Sequence, residues 1–268
     1  MINYLYLGRV DYAEALRMQQ ELVALRTAGR IGNVFLLLEH PPVLTLGRNA
    51  SRSNILASDE LLKSRGIALH EIDRGGDVTY HGPGQLIGYP IFDLRSLHSP
   101  SGNRLGPVDF VRLMEQALIG LCSEFGVPAG QIRGLTGVWC GLSSHVPDES
   151  PKPDCPQNSS KGLRPAGGRK IAAIGIHVAR GITSHGFALN VTTDLRDFAL
   201  INPCGITSCP VTSLEREVAS PKALPSLESI AHQAARQFGA VFYQPVEMLE
   251  SLATLRARKH YAPAEPVR

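Results

Sequence analysis

The sequence predicts an α+β fold, a mixed and mainly antiparallel sheet flanked by helices. Two patterns predict it. Apolar stretches of strand length recur along the chain, several in hairpin-like pairs, and stretches at helical spacing are interspersed among them. The chain is also long enough for a large buried core, with 268 residues, 43% of them hydrophobic and 19% charged. No composition shift marks a domain boundary, so residues 1–268 are expected to form one domain.

The elements follow in order. Residues 11–28 read as an amphipathic helix carrying Leu16, Leu22, Val23 and Leu25, with Gly29 as its stop. "NVFLLLEH" (33–40) is a buried strand and "PPVLTLGR" (41–48) follows it. A short helix over 58–65 has Ser58 as N-cap and Gly66 closing it. "IALHEIDR" (67–74) is a strand running into "RGGDVTYHGPGQL" (74–86), and "QLIGYPIFDL" (85–94) is the strand that leaves. A longer helix spans about 108–125, between Pro107 and Gly126. Strand signals recur in "TGVWC" (136–140), "RKIAAIGIHVA" (169–179) and "ITSHGFALNV" (182–191). The last helix, 226–238, sets Leu227, Ile230, Ala234 and Phe238 toward the core. Residues 143–168 are rich in Pro, Ser, Lys and Asp, and read as a mobile surface loop interrupting a strand pair.

Composition narrows the function classes. A net charge of +3 declares no nucleic-acid stripe, and the basic run "RARKHY" (256–261) is short. No stretch is apolar enough to span a bilayer, and the first residues have neither a signal-peptide nor a transit-peptide profile. Five cysteines, Cys122, Cys140, Cys155, Cys204 and Cys209, show no framework spacing. That argues for reduced thiols and a cytoplasmic location. Cys140, His145 and Cys155 fit no zinc pattern, so no metal site is expected.

The stretch 74–86 puts four glycines and a proline into thirteen positions. Such density prevents a helix, and it suits either a tight turn between strands or a backbone cradle around a ligand. Cys204 sits in "INPCGIT", where Pro203 fixes the approach and Gly205 lets a backbone N–H face a developing oxyanion. A thiol needs a partner to become a nucleophile near neutrality, and Lys170, His81, His177 and His185 are the candidates. Lys170 also reads as a strand-edge residue reaching solvent, and His185 as either a pocket wall or a hydrogen-bonded core residue. Small residues at 173–175 and 186–188 leave room for close approach, by a ligand or by another strand.

Taken together, "LLLEHPPVLTLGR", "RGGDVTYHGPGQLIGYPIFDL", "TGVWC", "RKIAAIGIHVARGITSHGFALNV", "DLRDFALINPCGI" and "VTSLERE" resemble the lipoate-protein ligase B family, the octanoyl-acyl-carrier-protein:protein N-octanoyltransferases. The resemblance runs over roughly residues 1–240. It implies the fold of the biotin and lipoate ligase catalytic domains and acyl transfer without a metal or organic cofactor. Cys204 would be the acyl-accepting nucleophile and Lys170 the residue that lowers its pKa. The substrate-binding segments would be Arg74, Gly75, Gly76, Asp77, Val78, Thr79, Tyr80 and His81, then Ala173, Ile174 and Gly175, then Gly186, Phe187 and Ala188. Within the first, Asp77 falls at a variable position and has no individual role.

The resemblance also names partners: octanoyl-acyl carrier protein as donor, and as acceptors the lipoyl domains of 2-oxoacid dehydrogenases and the glycine-cleavage H protein. A monomer is expected, with neither nucleic acid nor membrane as partner. The chain departs from the family at 143–168, where members usually have a short connection.

Overall fold

The computed structural model describes residues 1–98, 102–142, 168–202, 210–219 and 224–257. The chain opens on β1 (Ile2–Arg9), a strand the sequence patterns did not announce. Helix α1 (Tyr12–Thr27) starts at Asp11, whose carboxylate accepts from the backbone N–H groups of Ala13 and Glu14. Its buried stripe is Tyr12, Ala15, Gln19 and Leu22, whereas Leu16 and Val23 are only half-buried. Leu22 stays in the stripe, and Gln19 shares it because its Oε1 accepts the His185 N–H at 2.8 Å.

Strands β2 (Asn33–Glu39) and β3 (Val43–Leu46) precede α2 (Asp59–Ser64). Ser58 caps α2 by accepting from the Leu61 N–H at 3.3 Å, and Gly66 follows it at φ +64°. Then come β4 (Ala68–Glu71), β5 (Val78–His81) and β6 (Gln85–Ile91). Two expected strands are shorter than their apolar runs. The first stops at Glu71, where the chain turns so that Arg74 can bond back to Thr45. The other stops at Ile91, because Asp93 caps a 3-10 turn by accepting from Arg95 N–H.

Helix α3 (Pro107–Glu124) leads to β7 (Ala129–Ile132) and β8 (Leu135–Cys140). β9 (Arg169–Ala179) and β10 (Ile182–Asn190) form a hairpin. Its two-residue turn is Arg180–Gly181, both at positive φ (53° and 81°), which matches the strand twist. The chain ends on α4 (Leu214–Glu217), α5 (Leu227–Val241), β11 (Val246–Met248) and α6 (Leu252–Ala257).

The main sheet has eight strands in the order β11-β1-β2-β6-β10-β9-β8-β7. β1 runs parallel to β11 and β2, and every other pairing in it is antiparallel. A second sheet, β4-β3-β5, has three strands. On one face of the main sheet α3 and α5 bury Phe110, Met114, Leu118 and Phe238 against Phe35, Phe187 and Leu189. The Phe35 and Phe238 rings lie 4.4 Å apart. Each such phenylalanine contributes about 2–3 kcal/mol of burial. The other face packs Leu36, Ile87 and Ala188 with Ala15 and Leu22 of α1 and Leu255 of α6. The small sheet has its own core: Leu44, Val78 and Tyr80 with Leu62, Leu200 and Ile201. The fold is α+β, mixed and mainly antiparallel with flanking helices.

Candidate active site

Three of the segments singled out in the sequence meet around one cavity. Its walls include Arg74, Thr79 and His81 from the first, Ala173, Ile174 and Gly175 of β9, and Gly186, Phe187 and Ala188 of β10. Pairing makes the last two one surface, with Ala173 opposite Ala188, Ile174 opposite Phe187 and Gly175 opposite Gly186. Tyr12, Tyr89 and His185 complete the lining. Sequence reasoning missed both tyrosines. Tyr12 lies outside the leucine stripe of its helix, and Tyr89 sits in a continuous apolar run.

The stretch 74–86 holds the tight turn that the sequence allowed, and its upstream part packs on β9. Gly82–Gly84 is a tight turn between β5 and β6, with Gly84 at φ +77°. Upstream, the loop lies against β9, where the Gly75 N–H donates to Ile176 O at 3.0 Å. A Cβ at Gly175 would come 2.7 Å from Gly75 O, so this glycine admits a loop backbone. At Gly186 a Cβ would come 2.0 Å from Gly88 O, so there the close neighbour is another strand.

Five members of the first segment stand away from the lining. Gly75 and Gly76 form the loop, and Val78 is in the small-sheet core. Tyr80 is buried there too and donates its O–H to Asp197 Oδ2 at 2.9 Å. Asp77, left without a role by the sequence, accepts from Asn54 Nδ2, and Asn54 O accepts the Asn202 N–H at 2.7 Å. The carboxylate thus steadies the chain just before Pro203. Arg74 is buried and donates to Thr45 O at 2.8 Å and Thr45 Oγ1 at 2.9 Å, fastening the loop to β3.

The imidazoles of His40 and His81 are neutral and oriented. His40 Nδ1 lies 2.7 Å from Val10 O, which can only accept, so that nitrogen carries the proton and Nε2 accepts from Tyr89 O–H at 2.8 Å. Burial pulls His40 down to about 4. Gln85 Nε2 donates to Tyr80 O and Asn190 Oδ1, leaving its Oε1 to accept from His81 Nδ1 at 2.8 Å. Burial, with His40 second, lowers His81 to about 3. The ring of Tyr12 stacks over His81 at 6.2 Å. His185 serves both as cavity wall and as hydrogen-bonded core residue. It stands at φ +56° and donates Nε2–H to Asp73 Oδ1 at 2.8 Å, while burial lowers its pKa. Burial works to raise Asp73, but the bond and charge of His185 and the charge of His177 outweigh it and leave the carboxyl below its ordinary value. His177 does not line the cavity; its Nδ1 accepts from Arg48 Nη2 at 2.9 Å.

Lys170 lies on β9 three residues before Ala173 and outside the lining. Its backbone N–H donates to Pro210 O at 2.8 Å, and its carbonyl accepts from Thr212 N–H at 2.9 Å. Its Nζ lies 4.7 Å from the centre of the Trp139 ring. Cys204 lies outside the described residues, as do Cys155, Cys209 and all of the expected loop but Gly168. Cys122 and Cys140 are buried, and burial pushes both thiols up to about 12, so both stay protonated near neutrality. Among the described residues no cluster of side chains could hold a metal ion, and no helix is long and apolar enough to cross a membrane.

Two curated bacterial relatives match nearly end to end. An octanoyltransferase of Acidobacterium capsulatum is 56% identical over 252 residues, 94% of each chain. An octanoyltransferase of Koribacter versatilis is 48% identical over 264 residues, 98% of this chain and 93% of its own. Among solved structures, a bipartite lipoate protein ligase of Thermoplasma acidophilum superposes with a TM-score of 0.64 at 16% identity, over 96% of this chain and 91% of its own. A lipoate-protein ligase A bound with ATP gives 0.64 at 15% identity, over 96% and 93%. These two likenesses establish the fold. The lipoyl protein ligase A/B catalytic domain matches residues 11–239, and with such coverage the chain belongs to that family.

Proposed function

We propose that this chain is an octanoyltransferase of lipoate assembly, moving an octanoyl group from octanoyl-acyl carrier protein to a lysine of a lipoyl domain through a thioester on Cys204. The observation that carries the reading is 56% identity to an octanoyltransferase across 94% of the chain. The cavity supports it with a narrow wall of small and apolar residues, Ala173, Gly175, Gly186 and Ala188, closed by neutral aromatic side chains. Such a slot suits an unbranched acyl chain.

The chemistry balances without an energy source. The Cys204 thiolate attacks the carbonyl carbon of the donor thioester, a C–S bond forms, and the donor thiolate leaves with its electron pair. A lysine amine of the acceptor then attacks the acyl-enzyme. The amide C–N bond forms, the Cys204 thiolate is released, and the amine's proton passes through solvent to the departed donor thiolate, which ends as the thiol. The first exchange is nearly even and the second runs downhill. Lys170 as ammonium favours the thiolate by charge. The placement of its backbone beside Pro210 and Thr212, where the chain returns after residues 203–209, supports that role. Arg74 and Gly75 shape the wall that faces β9. The acceptors are lipoyl domains of 2-oxoacid dehydrogenases and the glycine-cleavage H protein, and the enzyme works as a cytoplasmic monomer.

The test is intact-protein mass spectrometry after mixing the enzyme with octanoyl carrier protein, without ATP, beside Cys204→Ala. One octanoyl adduct is expected on the parent, none on the variant, and discharge by a lipoyl domain. Transfer that requires ATP and free acid would replace the reading with a ligase of the same fold.

A further inference from the structure

We propose that Trp139 is the positioning residue for Lys170, its ring face holding the ammonium where the chain returns from 203–209 to the sheet. The inference rests on the reading of Lys170 as the partner of Cys204. Strand register brings the two together. Val138 pairs with Ala172, so a regular antiparallel ladder would set Trp139 opposite Ile171. Instead the register shifts by one, Trp139 faces Lys170, and Cys140 faces Arg169. A bulge of this kind re-aims a side chain across a strand pair.

The surroundings fit a platform. Trp139 is buried, and among the described residues its Nε1–H has no hydrogen-bond partner, so packing rather than a polar bond sets the ring. Gly137, at φ +120°, keeps the neighbouring position low, since a Cβ there would sit 3.5 Å from Lys170 Cε and 2.6 Å from Ala172 O. The lysine stem runs over Gly137 and its Nζ ends 4.7 Å from the ring centre, within the range of a cation–π contact. Among the described residues no carboxylate pairs with that ammonium. A carboxylate would hold the lysine equally well, but it would consume N–H donors and cancel the charge a thiolate needs. A π face fixes the cation and leaves its donors free.

Trp139 is the only tryptophan of the chain, so biosynthetic labelling with mono-, di- and trifluorotryptophan alters this ring alone at nearly constant size. Two quantities are read along the series: the single-turnover rate of Cys204 acylation by octanoyl carrier protein, and the pH midpoint of Cys204 alkylation by iodoacetamide, located by peptide mapping. The expected result is a stepwise fall in acylation, about tenfold by the trifluoro form, with the alkylation midpoint moving to higher pH. Trp139→Phe should fall inside the series and Trp139→Leu below it. In Lys170→Met both quantities should already be impaired, and the fluorinated series should be flat. A flat series in the parent, with Lys170→Met impaired, overturns the role of Trp139 and leaves that of Lys170. An unimpaired Lys170→Met overturns both.

Discussion

At the scale of single residues, burial lowers the pKa of His81 and His185 in the cavity wall and of His40 behind it, and this has a consequence for acid stability. His40 is fully buried, with Nδ1 on Val10 O and Nε2 on Tyr89 O–H, and burial carries it from its ordinary 6.5 to about 4. Above the unfolded pKa neither state binds the proton and His40 costs nothing. As pH falls through 6.5 the unfolded chain protonates first, so stability is lost between about 6.5 and 4, on the order of 2–3 kcal/mol for this group. His81 and His185, lowered for the same reason, add to the slope. Melting temperatures recorded from pH 7.5 down to 5 should therefore fall, and His40→Gln, less stable at pH 7.5, should fall less steeply. Parallel slopes would show that His40 is not the titrating group. The glycines make a second contrast. Gly186→Ala drives a Cβ to 2.0 Å from Gly88 O and 2.7 Å from Pro90 Cδ, backbone and ring that cannot yield. It should cost about 3 kcal/mol. Gly75→Ala meets only Ile176 O at 3.3 Å and should cost under about 1 kcal/mol. Urea denaturation of the two variants distinguishes the positions.

At the scale of elements, the small sheet acts as a bracket for the chain that enters 203–209. β5 begins beside Asp77, Asp77 holds Asn54, and the Asn54 carbonyl holds the Asn202 N–H. Asp77→Ala removes one hydrogen bond of that relay, worth about 1 kcal/mol. Acylation of Cys204 should slow roughly fivefold with little change in melting temperature. Unchanged single-turnover acylation would exclude the relay from function. Such a role was not legible in the sequence, because it depends on Asn54 and Asn202 meeting across the fold. What was legible was whatever repeats locally. The β9–β10 hairpin, the Ser58 cap and the Phe238 stripe are each set by neighbours in the chain. β1 escaped because it runs parallel to strands on both sides and is nearly uniformly apolar at its start, so it shows no alternation. β11 escaped because three half-exposed residues carry no period. The stripe of α1 was only partly legible because it includes a polar residue, Gln19, whose partner is the distant backbone of His185. At the site, the glycine-rich wall could be read from composition, whereas Tyr12 and Tyr89 reach the cavity only through packing.

At the scale of the whole molecule, the strand pair that the sequence shows interrupted is closed without the interruption. Cys140 and Arg169 are direct partners, so the chain leaves β8 and re-enters β9 at neighbouring points of one ladder. Arg169 is fastened independently, donating Nε and Nη2 to the two Glu217 oxygens at 2.8 Å each. Glu217 Oε1 also accepts from Thr212 Oγ1 at 2.6 Å. The ladder, the Arg169–Glu217 clasp and the Lys170 bonds to Pro210 and Thr212 all lie among residues outside 143–167. Replacing residues 143–167 with an Asn-Gly turn should therefore leave the fold intact. Shortening the connection lowers the entropy of closing it by about 2 kcal/mol at most, so the melting temperature should hold or rise by a few degrees. Single-turnover acylation by octanoyl carrier protein should stay within about twofold, since Lys170, Trp139 and the cavity wall keep their partners. A fall in melting temperature of more than about 5 °C would mean that the insertion is part of the folded unit. Unchanged acylation with a raised KM for the lipoyl domain would assign the segment to docking of the acceptor rather than of the donor carrier protein.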